Sequence, residues 1–172
     1  MTDFTIGSSL NGWHPGELSM QRKLGFDTAP GVSSAWRHIY GELTDQHRKF
    51  HTSNLHFLPV VTLDERKRPW VSMLTGEDDK IGWIKERRGH RSRLELNTRI
   101  WEADPLWQNL RLVHDQEGDR VESLIAGVGV EVSTRRRNKL AGKMVGVRMD
   151  DQTRRVTIDV EVNEATGYAQ RF

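Results

Sequence analysis

The apolar residues of this chain change their spacing near Leu55. Upstream, Trp36, Ile39, Tyr40, Leu43 and Phe50 recur at close to a helical period. With Ser33 or Ser34 placed to cap it, the pattern predicts a helix over Ala35–His51. A shorter helix is expected over Glu17–Leu24, stopped by Gly25, with a turn at Ala29-Pro30-Gly31. Residues 1–16 carry several Gly, Ser and Asn and read as an irregular arm.

Downstream the pattern is that of strands. His56–Leu63 is apolar and β-rich, Asp64–Arg68 is a charged turn, and Pro69–Leu74 is a second apolar run closed by Gly76, which together predict a hairpin. Ile81–Ile84 reads as a short strand, and Leu94–Ile100 alternates apolar with polar, as a half-buried strand does. Asp104-Pro105 opens a helix running to Leu112, because Asp caps well and Pro suits the first helical position. Ser123–Val132, Lys139–Met149 and Arg155–Val162 follow as strands, the last two joined by a turn at Asp150–Thr153. The fold class expected is mainly β: a β-barrel with flanking helices, in which closure protects the strand edges. Residues 1–54 form an arm and helices belonging to the same single domain, and residues 55–172 form the barrel.

Composition narrows the possibilities. The 172 residues suit one domain. Basic and acidic residues nearly balance, at 26 and 24, which argues against general polyanion binding, and no nucleic-acid motif is present. The absence of cysteine excludes disulfides, thiolate metal sites and a cysteine nucleophile. No apolar run is long enough to span a membrane and no signal peptide opens the chain, so a cytoplasmic protein is expected.

Three segments carry candidate chemistry. Thr134-Arg135-Arg136-Arg137-Asn138-Lys139 lies between two apolar strands, and alternation along an extended chain would send Arg135 and Arg137 to one side and Arg136 to the other. Guanidinium forks suit phosphate, although a run of charge is also what a solvated turn looks like. Trp70, Val71 and Ser72 sit in a strand that can offer backbone groups and a hydroxyl to a planar ring; the plainer reading is a core strand. The cluster Lys85, Arg87, Arg88, Arg91 and Arg93 reads as a surface loop. His47 and His51 have the spacing of two metal ligands on a helix face, but Arg48 and Lys49 between them disfavour a cation, and no metal is expected. The chain contains no phosphate-binding loop, dinucleotide fingerprint or nucleophile elbow.

Taken in order, four regions resemble one family. Trp13-His14-Pro15-Gly16-Glu17 through Gln21 resembles the "WHxGExxxQ" opening of pyridoxamine 5′-phosphate oxidase-like proteins. Phe57–Asp64 with Arg68–Gly76 resembles their first hairpin, and Asp104-Pro105-Leu106 the start of their short helix. Gly129–Gly142, ending in Thr134-Arg135-Arg136-Arg137-Asn138-Lys139-Leu140-Ala141-Gly142, resembles their "TRRRNRxNG" signature. The resemblance implies a split barrel that binds FMN, as a homodimer with the flavin at the subunit interface. It implies that Trp70, Val71 and Ser72 lie along the ring and ribityl chain, that Thr98 and Arg99 serve the phosphate end, and that Arg135, Arg136 and Arg137, with Asn138 beside them, reach the flavin's polar groups. His14 and Glu17 are weaker candidates for proton transfer.

The chain departs from the family's pattern at Ala141, where a second Asn is common, and after Asn163, where Glu164–Phe172 replaces an "NCPKYI"-like tail. On this reading a built-in electron-supply partner is not expected, and a separate reductase is one candidate partner. The expected function is an FMN-dependent oxidoreductase of unspecified substrate. A flavin-binding module without turnover, and a related split barrel using heme or a deazaflavin, are the alternatives.

Overall fold

The computed structural model describes residues 15–28, 39–115 and 123–167. Helix α1 spans Pro15–Lys23, α2 Asp45–Ser53 and α3 Leu106–His114. The strands are β1 Phe57–Leu63, β2 Pro69–Thr75, β3 Ile84–Glu86, β4 Arg93–Arg99, β5 Leu124–Glu131, β6 Arg136–Asp150 and β7 Arg155–Gly167. They form one antiparallel sheet in the order β2-β1-β5-β6-β7-β4-β3. The protein is mainly β, as the alternation predicted.

The sheet curls into a half-barrel because its inward face is apolar. Leu58 and Val60 on β1, Leu94 and Leu96 on β4, Ile125 on β5, Leu140 and Met144 on β6, and Ile158 and Val160 on β7 are all buried in one core. Curling brings β2, at one end of the strand order, against β4 near the other. Strand β3 is only three residues long and covers β4 at Leu94–Leu96, so β2 reaches β4 just beyond it. Helix α3 packs on β1, β2 and β6, burying Leu106, Trp107 and Leu110. Its Asn109 Nδ2 donates to Thr62 Oγ1 at 3.0 Å, which satisfies two polar groups inside the barrel. Among the described residues no helix is long and apolar enough to cross a membrane.

Two elements differ from the sequence expectation. The helix expected over Ala35–His51 is helical only from Asp45, and residues 35–38 lie outside the described ones. Tyr40 instead joins the sheet, exchanging backbone hydrogen bonds of 2.8 and 2.9 Å with Ala165. Ile39, Tyr40 and Leu43 thus mimic a helical period on a segment that is bridged at Tyr40 and bends at Gly41 and Glu42. Thr44, not Ser33 or Ser34, caps the helix, its hydroxyl accepting from His47 N–H at 3.3 Å. The strand expected at Ile81–Ile84 lies at Ile84–Glu86, because Gly82 turns the chain at φ +93° and Trp83 is drawn inward to donate its indole N–H to Leu55 O at 3.0 Å.

Candidate functional site

Two side-chain hydrogen bonds tie β2 to the β4–α3 segment. Thr98 Oγ1 donates to Thr75 O at 2.7 Å, and Ser72 Oγ donates to Asp104 Oδ1 at 2.6 Å. The same Asp104 oxygen accepts Leu106 N–H at 2.9 Å, so it caps α3 while holding β2. Pro105 already has helical dihedrals (φ −57°, ψ −23°), as expected for a proline in the first turn. Thr98 and Ser72 are both buried; they seal the seam from inside.

Between the two ties the chain alternates, so every second side chain faces outward from a fixed frame. Burial alternates along the chain from Thr98 (in) through Arg99 (out) and Ile100 (in) to Trp101 (out), and on β2 from Val71 (out) through Ser72 (in) to Met73 (out). Val71 is 71 % exposed, Met73 53 % and Trp101 80 %. Arg99 stands directly opposite Arg155 across the β4–β7 ladder. Like charges so placed repel. Arg155 is compensated by Glu77, its Nε lying 2.5 Å from Oε1, whereas Arg99 has no ion pair among the described residues. The outer face thus carries, at Arg99, a cation without an ion pair among the described residues.

Val71 also lines a shallow apolar cleft of about 460 Å³ on the outer face, together with Pro59, Val61, Ala126, Val128 and Ala141. Lys139, Glu164 and Thr166 give it a polar margin. A face of this kind is available to a ligand or a second subunit.

Trp70 lies apart from this surface. Its indole donates to Asp64 Oδ2 at 3.1 Å, and the Arg68 guanidinium sits 5.8 Å from its ring centre. Asp64 also accepts from the backbone N–H of Arg66 and Arg68 and from Arg68 Nε. Desolvation opposes its ionisation, but these bonds outweigh it and hold the carboxyl well below the usual range. Asp64 organises the β1–β2 turn.

The arginine run does not sit at the seam. Arg137 pairs with Val130, and continuing the registers through β1 places that row at Phe57 and Thr75, three strand spacings from β2. At ~4.8 Å per spacing this is roughly 14 Å along the sheet. The expected alternation is also modified. Arg135 is a turn residue at φ +58°, Arg136 lies 5.2 Å over the Phe50 ring and 3.9 Å from Glu131 Oε2, and Arg137 is exposed on β6. Glu131 shapes this turn by accepting from Thr134 Oγ1 and from Asn54 Nδ2. Asn138 is buried against Gly167, where a Cβ would meet its Oδ1 at 1.9 Å. Within one chain, then, Ser72 and Thr98 fasten the seam, with Val71 and Arg99 as their outward-facing neighbours in sequence, whereas Arg135, Arg136, Arg137 and Asn138 form a second group.

Two of the five cations in the loop cluster are neutralised by carboxylates of the sheet. Arg87 pairs with Glu95 at 3.2 Å and Arg93 with Glu161 at 3.1 Å. His47 and His51 are buried on the inner face of α2, and no group of three or more metal-ligating side chains occurs among the described residues. Burial lowers the pKa of both. His14 lies outside the described residues, as does the side chain of Glu17.

No protein-family model matches the chain, and no curated protein matches it. Among solved structures it is similar to one titled an F420 reductase, at 12 % identity and a TM-score of 0.48, over 72 % of this chain and 98 % of that one. Trp101 escaped the sequence reading. A tryptophan is expected inside, and only the continuation of alternate burial past Arg99 marks it as outward.

Proposed function

We propose that the protein binds FMN on the outer wall at the β2–β4 seam and uses it as a flavin-dependent oxidoreductase, working as a homodimer. The observation that carries this reading is Arg99: an exposed side chain facing another arginine across the ladder, without an ion pair among the described residues, on the outer face that also exposes Val71 and Met73. An anionic, partly apolar ligand answers both features, and a flavin nucleotide is such a ligand. The four ordered motif resemblances point the same way.

The residues present fit the group. Arg99 would meet the phosphate, and Val71 and Met73 would lie against the ring or ribityl chain. Ser72 and Thr98 act differently: their hydroxyls are committed to Asp104 and Thr75, so they hold the wall in place. The flavin, when bound, supplies hydride and electron transfer, and the protein supplies position and electrostatics. A second subunit packed on the apolar outer face would cover the cleft. It is also the route by which Arg135 and Arg137, remote from the seam in their own chain, would reach a flavin. Electrons would come from reduced nicotinamide directly or through a separate reductase.

The test is reconstitution. The purified protein mixed with FMN and passed through a desalting column should retain flavin absorbance, and NAD(P)H should bleach it. Retained flavin without bleaching under any reductant identifies a carrier. Retention of a deazaflavin or heme, with FMN refused, overturns the FMN assignment.

A further inference from the structure

We infer that Trp101 is the aromatic platform on which the ligand's ring stacks, with Arg99 two residues away holding its anionic end. This rests on the flavin reading above. Trp101 is the most exposed large apolar side chain among the described residues, at 80 %. An exposed tryptophan on a mobile loop would say little; this one sits on an anchored segment. Ile100 N–H donates to Arg154 O at 3.0 Å, and Asp104 N–H donates to Trp101 O at 3.1 Å. The Arg154 guanidinium, 3.9 Å over the Trp107 ring, donates from one nitrogen to Trp101 O at 3.2 Å and to Glu102 O at 2.8 Å. Arg154 itself is held at φ +61°, a conformation uncommon for a residue with a side chain. The structure therefore fixes the backbone of Trp101 from several sides and leaves its ring outside, without a ring contact among the described residues.

The position is defined as well as rigid. The Thr98–Thr75 and Asp104–Ser72 ties bracket Trp101 and set it beside the β2 stretch that presents Met73 and Val71 outward. A rigid aromatic with few torsions loses little entropy on contact. Stacking on one accounts for a large share of binding to planar heterocycles in other systems. The division of labour follows: Trp101 reads the ring, and Arg99 reads the phosphate.

Titrating FMN and riboflavin, which lacks the phosphate, separates the two roles. Wild type should bind both and quench flavin emission. Trp101→Ala should weaken both by about tenfold and restore emission of the bound flavin, and Trp101→Phe should stay within about threefold of wild type. Arg99→Ala should weaken FMN by about tenfold and leave riboflavin within about twofold. Equal melting temperatures confirm that these exposed positions leave the fold intact. If wild type binds neither flavin, the flavin reading itself fails. If wild type binds both, and Trp101→Ala binds them with unchanged affinity and quenching, the platform is refuted while the flavin reading stands. A Trp101→Ala protein that changes only its oligomeric state makes Trp101 a subunit contact and also refutes it.

Discussion

Replacing His51 with leucine tests how α2 is held to the barrel. The His51 ring is 1 % exposed, stands edge-on to Phe50 at 5.5 Å, and fills the space left by Gly129, where a Cβ would lie 3.0 Å from its Cε1. Neither ring nitrogen has a hydrogen-bond partner among the described residues. Desolvation, with a smaller contribution from neighbouring His47, lowers its pKa from 6.5 to about 3. The folded pKa lies below the unfolded one, so the unfolded chain takes up the proton first. The stability this group supports is complete above pH 6.5 and is lost as pH falls toward 3. At about 1.36 kcal/mol per pH unit, going from pH 7.5 to 5.0 removes about 2 kcal/mol. That figure is set by the unfolded value, because the folded ring is still neutral at pH 5. Urea unfolding followed by tryptophan fluorescence at the two pH values measures it. His51→Leu should lose about 2 kcal/mol less between them than wild type, while its stability at pH 7.5 stays within about 1 kcal/mol, since an apolar side chain of similar size replaces a ring without partners. The His47 ring, also lowered by burial, keeps a residual pH dependence in the variant. If wild type is equally stable at both pH values, or if His51→Leu loses as much as wild type, the buried neutral histidine is refuted.

Substitutions at three further positions test the frame. A Cβ at Gly142 would lie 2.0 Å from Glu161 O, inside a β-bulge whose backbone cannot move aside, so Gly142→Ala should cost about 3 kcal/mol or more in urea unfolding. Gly146→Ala, which meets only the Asp159 carboxylate at 3.2 Å, should cost less than about 1 kcal/mol; equal costs would contradict the clash. Asp104→Ala removes the acceptor for both Leu106 N–H and Ser72 Oγ and should cost about 2–3 kcal/mol, with Asp104→Asn in between; a loss below about 0.5 kcal/mol would mean the seam is held by other contacts.

Much of the barrel was legible because period-2 alternation survives wherever one strand face is buried. The β1–β2 hairpin, β4 and the β5–β6–β7 meander follow it closely, and β6 and β7 merely run longer than their apolar centres. The segment at Ile39–Leu43 was misread because its apolar spacing satisfies a helix as well as an extended chain, and Tyr40 is decided by a partner at Ala165. The seam was hidden for the same reason. Thr98 with Thr75 and Ser72 with Asp104 are contacts across 23 and 32 positions, which no local period encodes. Thr98, Arg99 and Ser72 were singled out as candidates, yet two of the three turn inward to fasten the wall. The arginine run was conspicuous as composition, but a turn with Arg135 at positive φ and Arg136 over Phe50 disperses its side chains.

The central claim is that an anionic flavin binds at Arg99 on the outer wall of the seam. Quenching of FMN emission on titration with the purified protein tests it most directly, run in parallel on wild type and Arg99→Glu. Wild type should show saturable quenching at one FMN per chain, and the charge reversal should lose affinity by about tenfold or more. Absence of saturable binding by wild type, or identical curves for the two proteins, would contradict it.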